Sequence, residues 1–140
     1  MLSTFDISTS ALVAQRARLN AIAGNIANIS TTRNEAGEVE PYKQRFVTFA
    51  TVDEKSGTYG AAGVRGSSVQ ISQKGPDWRY QPNHPDAMSS GPKEGYVAYP
   101  NIDVMAEMVN AMTAHRAYEA NIGVIEITKN LGQQTLRILG

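Results

Sequence analysis

No cysteine occurs among the 140 residues. Disulfides and thiolate zinc sites are therefore excluded, a composition that suits an exported protein as well as a cytosolic one. There is no excess of charge: 13 basic residues balance 13 acidic ones. A neutral chain carries no electrostatic footprint for nucleic acid or an anionic membrane surface. No apolar run approaches the roughly 20 residues that a membrane span needs. The opening MLSTFDISTSALVAQRARLN lacks the basic-then-apolar order of a secretory signal, because Asp6 comes early and Arg16 and Arg18 interrupt the apolar positions. Any export is therefore expected to follow a route that cleaves no signal.

Proline is absent from both flanks. All six prolines lie between residues 41 and 100, with eight of the twelve glycines and eight of the ten aromatics between 37 and 99. Proline ends helices and glycine weakens them, so the middle is read as strand and loop, and the flanks are left free to be helical. This divides the chain into an N-terminal assembly helix (1–32), a β/loop-rich middle (33–100) and a C-terminal assembly helix (101–140). The fold class expected is mainly α with a small β/loop insert, the terminal helices pairing as a coiled coil within a helical assembly.

The first helix is predicted from about Asp6 to Ile29, capped by Ser8, Thr9 or Ser10. Leu12, Leu19 and Ile26 are seven apart, Ile22 and Ile29 fall three after the last two, and Gln15 occupies the missing position of an a/d seam. The second helix is predicted after Pro100, capped by Asn101 or Asp103. Val104, Met108, Ala111, His115, Tyr118, Ile122 and Ile125 keep heptad spacing, and Met105, Val109 and Met112 widen the face. Val124, Leu131 and Ile138 form a shifted stripe beside Leu136 and Leu139. The longer helix outruns the shorter by about 20 Å at the helical rise. Apolar faces this wide cannot both be buried in a two-stranded coil, so the remainder calls for other subunits. An isolated helix of this size is marginal in water, so the flanks are expected to order as partners arrive.

Within the seams stand Asn25, Asn28 and Asn121, where Leu or Ala would fold better. Such polar groups are read either as capping and surface residues or as devices that fix register at a cost in stability. In the middle, YKQRFVTFATV (42–52) and VRGSSVQIS (64–72) read as strands, SGTYGAAG (56–63) as a connector, and 75–96 as turn-rich. His84-Pro85-Asp86 matches the tripeptide of J-domain co-chaperones, but its flanks YQPN and AMSSGP cannot be helical, which favours a proline turn. His84, Asp86 and Glu94 lack the spacing of a metal or acid–base site. Gly60, Gly63 and Gly66 fit neither a P-loop nor a dinucleotide fingerprint. No catalytic residue, cofactor or metal is assigned.

Asn25-Ile26-Ala27-Asn28-x-x-Thr31, following an Ala/Leu-rich helix, resembles the N-terminal signature of bacterial flagellar axial proteins: rod, hook and their relatives. YQPNHPDA (80–87), EGYVAYPNIDV (94–104), EMVNAMTAHRAYEAN (107–121) and the final Leu139-Gly140 resemble the proximal-rod family FlgC. The run TTRNEAGEVEPYKQRFVTF replaces the Thr-Pro-Gly-Tyr usual after the Asn signature, and MSSGPK (88–93) stands as extra length, read as a surface loop. The resemblance implies a non-enzymatic structural subunit that passes unfolded through the flagellar type III export apparatus without a cleaved signal. Its terminal helices then pair and pack against other copies and other rod proteins, including the rod-base adaptor. The product is a tubular drive shaft across the periplasm that carries torque from motor to hook. The interface residues it implies are Leu12, Leu19, Ile22, Asn25, Ile26, Asn28, Ile29, Met108, Met112, Tyr118, Asn121, Ile122, Ile125, Leu131, Leu136 and Leu139. A secreted coiled-coil translocator or effector of a type III system is the alternative; an enzyme around His84 and Asp86 is the remoter one.

Overall fold

The computed structural model describes residues 2–51 and 64–139. Val52, the connector 56–63 with Gly60 and Gly63, Gly140, the surroundings of Gly66 and the side chain of Leu139 fall outside the described part. In chain order the elements are α1 (Leu2–Ala27), β1 (Arg45–Thr51), β2 (Val64–Ile71), β3 (Asp77–Tyr80), β4 (Tyr96–Tyr99) and α2 (Val104–Leu139). The fold is thus mostly helical, with two small antiparallel strand pairs, β1–β2 and β3–β4, between the helices.

Helix α1 starts at Leu2, earlier than the sequence suggests, so Ser8, Thr9 and Ser10 lie inside it rather than capping it. The Ser10 hydroxyl is used elsewhere: it donates to the Ile7 carbonyl (2.7 Å) and accepts the Val64 backbone N–H (3.0 Å), tying the helix to the start of β2. The helix stops at Ala27, before Ile29. There the Asn28 side chain donates to the Gly24 carbonyl (2.8 Å), and the Thr31 hydroxyl donates to Asn28 Oδ1 (3.1 Å), closing the last turn locally. Helix α2 starts as its sequence predicts, with Asp103 Oδ1 accepting the N–H groups of Met105 (2.9 Å) and Ala106 (3.2 Å). It runs unbroken through Gly123 and Gly132.

Strands β1 and β2 pair from Arg45↔Ile71 to Thr51↔Val64, with a bulge between Thr48 and Phe49. The strand begins three residues later than Tyr42, whose N–H is donated to the Thr31 carbonyl (3.1 Å), although the Gln44 carbonyl still accepts the Ser72 N–H (2.8 Å). The segment read as turns holds a further pair, Asp77↔Tyr99 to Tyr80↔Tyr96. Its closure depends on Gly95, whose φ of +78° suits glycine and whose missing Cβ would lie 2.8 Å from Tyr80 Cε2.

The helices pack side by side and run antiparallel. Arg18 reaches Asn110 (Nη2 to Oδ1, 3.4 Å). Asn25 lies against Arg45, whose neighbour Gln44 bonds Glu107 (2.6 Å), so moving back along α1 moves forward along α2. Ala14, Ile22 and Ala114 are buried in this region, and small residues there allow close approach. A second small core holds Val97 and Ala98 of β4. The run from Arg18 back to Leu2 matches that from Asn110 to Glu126. Helix α2 from Ile127 onward therefore projects past α1 by about 20 Å at 1.5 Å per residue. None of the described helices is long and apolar enough to cross a membrane.

Candidate assembly interface

The face that α2 turns inward is not the seam its apolar residues suggest. Positions 107, 111, 114, 118, 121, 125, 128 and 132 are all buried or half-buried, at alternating steps of four and three. This stripe shares Ala111, Tyr118 and Ile125 with the expected seam. Its other line is Glu107, Ala114, Asn121 and Thr128 in place of Met108, His115 and Ile122, and Gly132 continues the first line. Alongside α1, Ala114 and Asn121 lie inward because α1 approaches closely, and bulky side chains would hold it off; Thr128 and Gly132 continue the line onto the overhang. Met105, Met108, Val109, Met112, Ile122 and Val124 are left exposed instead. So are Ile127, Leu131, Leu136 and Ile138 on the overhang, where Leu136 is 72% and Ile138 84% exposed.

On α1, Ile22 is buried, while Leu12, Leu19 and Ile26, with Ile29 just past the helix end, are half-buried. Asn25 is 1% exposed. Its Nδ2 donates to the Arg45 carbonyl (2.7 Å), and its Oδ1 accepts the Arg45 N–H (2.8 Å) and the Tyr42 hydroxyl (3.2 Å). The side-chain amide thus pairs with the first residue of β1 as a backbone amide would, and fixes where the hairpin leaves the helix. Asn28 is likewise engaged within the chain, and Asn121 donates to the Ala117 carbonyl one turn back (2.7 Å).

The His84-Pro85-Asp86 segment is a turn, with the Ala87 N–H donated to the His84 carbonyl (3.0 Å). Asp86, 6% exposed, accepts the Thr32 hydroxyl at Oδ2 (2.6 Å) and Arg33 Nε at Oδ1 (2.7 Å). Those two hydrogen bonds, Arg33 first, hold its carboxyl below the ordinary aspartate value. The backbone N–H of Asp86 donates to His84 Nδ1 (3.1 Å). Among the described residues no group of three or more His, Asp and Glu could hold a metal ion.

Two parts of the chain match known families directly. Residues 5–33 match the family described as flagella basal body rod protein, and residues 93–138 match the C-terminal family of the flagellar basal body rod FlgEFG proteins. Over 99% of its length the chain is 41% identical to the flagellar basal-body rod protein FlgC of Salmonella typhimurium, covering 97% of that protein. It is 36% identical to the FlgC of Borreliella burgdorferi over 99% of this chain and 97% of that one. The chain belongs to the FlgC family of flagellar basal-body rod proteins. With the FlgC of Bacillus subtilis the identity is 33%, over 96% of this chain and 95% of the relative.

As a FlgC-family member the protein is a structural rod subunit, from a family that is not enzymatic. The two directly matched segments hold most of α1 and nearly all of α2, the helices that carry the exposed apolar surface. The 88–93 segment is an exposed turn, with Lys93 Nζ 3.9 Å from the centre of the Trp78 ring. Sequence reasoning missed the Thr32–Arg33–Asp86 contact, which joins positions more than fifty residues apart. It also missed Glu107. That residue is 3% exposed, bonds Gln44 through Oε1, and has no partner for Oε2 among the described residues. A buried acid inside an apolar heptad was the available signal.

Proposed function

We propose that this FlgC-family chain polymerises through its terminal helices into the proximal rod, a tubular drive shaft that carries torque from the motor to the hook. The observation behind this reading is the exposed apolar surface of α2. Met108 and Met112 are exposed one turn apart on a helix whose inner face is already occupied by α1, and Leu131 and Leu136 are exposed on its overhang. Exposed apolar surface of this kind marks an interaction site. Burying one Leu or Met side chain contributes about 1.5–3 kcal/mol. Pairing of α1 and α2 as a coiled coil, with 33–100 as the insert between the assembly helices 1–32 and 101–140, completes the proposed subunit.

The partners in this reading are other copies, other rod proteins and the rod-base adaptor, with the type III export apparatus engaged during secretion. The site of action is the basal body, in the rod that spans the periplasm, reached without a cleaved signal. Relatives that match nearly the full length favour a rod subunit over a secreted translocator. Deleting the gene tests the proposal. Loss of swimming and of rods beyond the base, both restored by the intact chain and with the chain recovered in purified basal bodies, is the expected result. Complete rods and normal swimming in the deletion strain would reject it.

A further inference from the structure

Strands β1 and β2 form a sheet of two, so each has an outer edge. The hydrogen-bond pattern fixes which backbone groups lie there. The Ser72 N–H donates to the Gln44 carbonyl (2.8 Å), so Phe46↔Gln70 and Thr48↔Ser68, two and four residues on, are bonded pairs. Arg45↔Ile71 and Val47↔Val69 fall between them and turn their N–H and C=O groups away from the partner strand. On β1 this outer edge is closed at Arg45, where Asn25 takes both groups. On β2 the outer N–H and C=O groups of Val69 and Ile71 have no partner among the described residues. Ser68 to Ile71 are all exposed, Val69 and Ile71 at 55% and 56%. Neither proline nor lysine, the usual guards of such an edge, occurs from Ser68 to Ser72, and the bulge lies outside this stretch.

This edge is complementary to itself. Ser68-Val69-Gln70-Ile71-Ser72 has the same order of polar and apolar residues in both directions about Gln70. When a second copy is laid antiparallel on a two-fold axis at Gln70, Val69 stands opposite Ile71 of the other copy, and Ile71 opposite its Val69. These are the residues whose outer backbone groups are free, so the two pairs form four backbone hydrogen bonds. Strand alternation sets Val69 and Ile71 on one face with Val47, so the same register joins their exposed side chains into one apolar patch. A slip of one residue would set outer groups against inner ones and lose the bonds. We propose that β2 is a dimerisation edge, which joins two copies of this chain in a four-stranded antiparallel sheet. The contact is two-fold and closes at two copies, so it belongs to the chain outside the rod. The inference stands on the β1–β2 hairpin and is independent of the rod-subunit reading.

The absence of native cysteine makes the contact measurable. At the two-fold axis the two Gln70 residues form a pair without backbone bonds, their Cα atoms about 4.5 Å apart, within the span of a disulfide. In the purified full chain, Gln70→Cys is expected to cross-link to a homodimer under mild oxidation at least several-fold faster than Thr48→Cys. Thr48 is exposed on the same face but on the strand remote from the axis, which makes it the control. Sedimentation of the unsubstituted chain is expected to show a dimer whose share grows with concentration. Two edge variants should shift it to monomer: Val69→Pro, which removes an outer N–H and no β1 bond, and Ile71→Lys, which places a charge in the apolar patch. Equal cross-linking of Gln70→Cys and Thr48→Cys, or a monomer at every concentration, overturns the proposal. A dimer that both edge variants leave unchanged overturns β2 as its contact.

Discussion

The Asn25 side chain and the Arg45 backbone form a closed two-bond pair, Nδ2 to carbonyl at 2.7 Å and N–H to Oδ1 at 2.8 Å. One side chain thereby fixes both the height and the angle at which the β1–β2 hairpin stands on α1. Asn25→Ala leaves the Arg45 N–H and carbonyl without these partners, at about 1–3 kcal/mol for each buried unsatisfied group. Asn28→Ala, at a half-buried helix end, loses only a local cap. The expected order in swimming and in rod yield is therefore wild type, then Asn28→Ala, then Asn25→Ala, with the double substitution exported normally but building no rod. Equal behaviour of the two single variants would refute the hairpin-anchoring role.

The same pairing shows what was legible in the sequence and what was not. Asn25 stood out because a polar residue interrupts an apolar repeat, but its partner lies twenty positions downstream at the edge of a strand, and no periodicity points there. The two long helices and the β1–β2 pair follow from the distribution of proline, glycine and apolar residues. The inward stripe of α2 did not. Heptad counting selects the largest apolar side chains, whereas close antiparallel packing against α1 selects small ones such as Ala114. The β3–β4 pair was hidden because four-residue strands between proline and glycine carry too short an alternation to register.

Gly95 sets the return of β4 onto β3. Its φ of +78°, and the Tyr80 ring 2.8 Å from where a Cβ would stand, make Gly95→Ala doubly unfavourable. The left-handed conformation alone costs about 1–2 kcal/mol for a residue with a Cβ. Gly75→Ala, where nothing lies within 4 Å and φ is not positive, serves as the control and should be near neutral. The yield of protease-resistant chain at increasing urea measures both. A Gly95→Ala midpoint equal to that of the control would contradict the steric account.

Asp86 gives the fold an acid-sensitive joint. Its pKa is lowered in the folded chain by hydrogen bonds from Arg33 and Thr32, so its contribution is present above the unfolded carboxyl pKa. That contribution is lost as pH falls through the lower, folded value. Asp86→Asn should therefore be less stable than wild type at pH 7, and the gap should narrow as the pH drops below the ordinary aspartate range. Parallel stability curves, with a gap that does not change between pH 7 and pH 3, would show that the carboxylate contributes nothing through its charge.

Removing residues 131–140 takes away Leu131, Leu136 and Ile138, all exposed on the overhang of α2. The paired part of α2 ends near Glu126, so the rest of the chain should keep its contacts while assembly fails. The truncated chain is expected to be expressed and exported yet to restore no swimming in a deletion strain. Full swimming would show that the overhang has no part in assembly.

The central claim is that the exposed outer face and the overhang of α2 are buried by neighbouring subunits in the rod. A cryo-electron microscopy map of the intact basal body, with this chain traced, measures that directly. The account predicts α1 and α2 antiparallel within each copy, with Met108, Met112, Leu131 and Leu136 covered by adjacent subunits. A traced chain whose α2 turns those four side chains to solvent, or a rod in which the chain is not found, would contradict it.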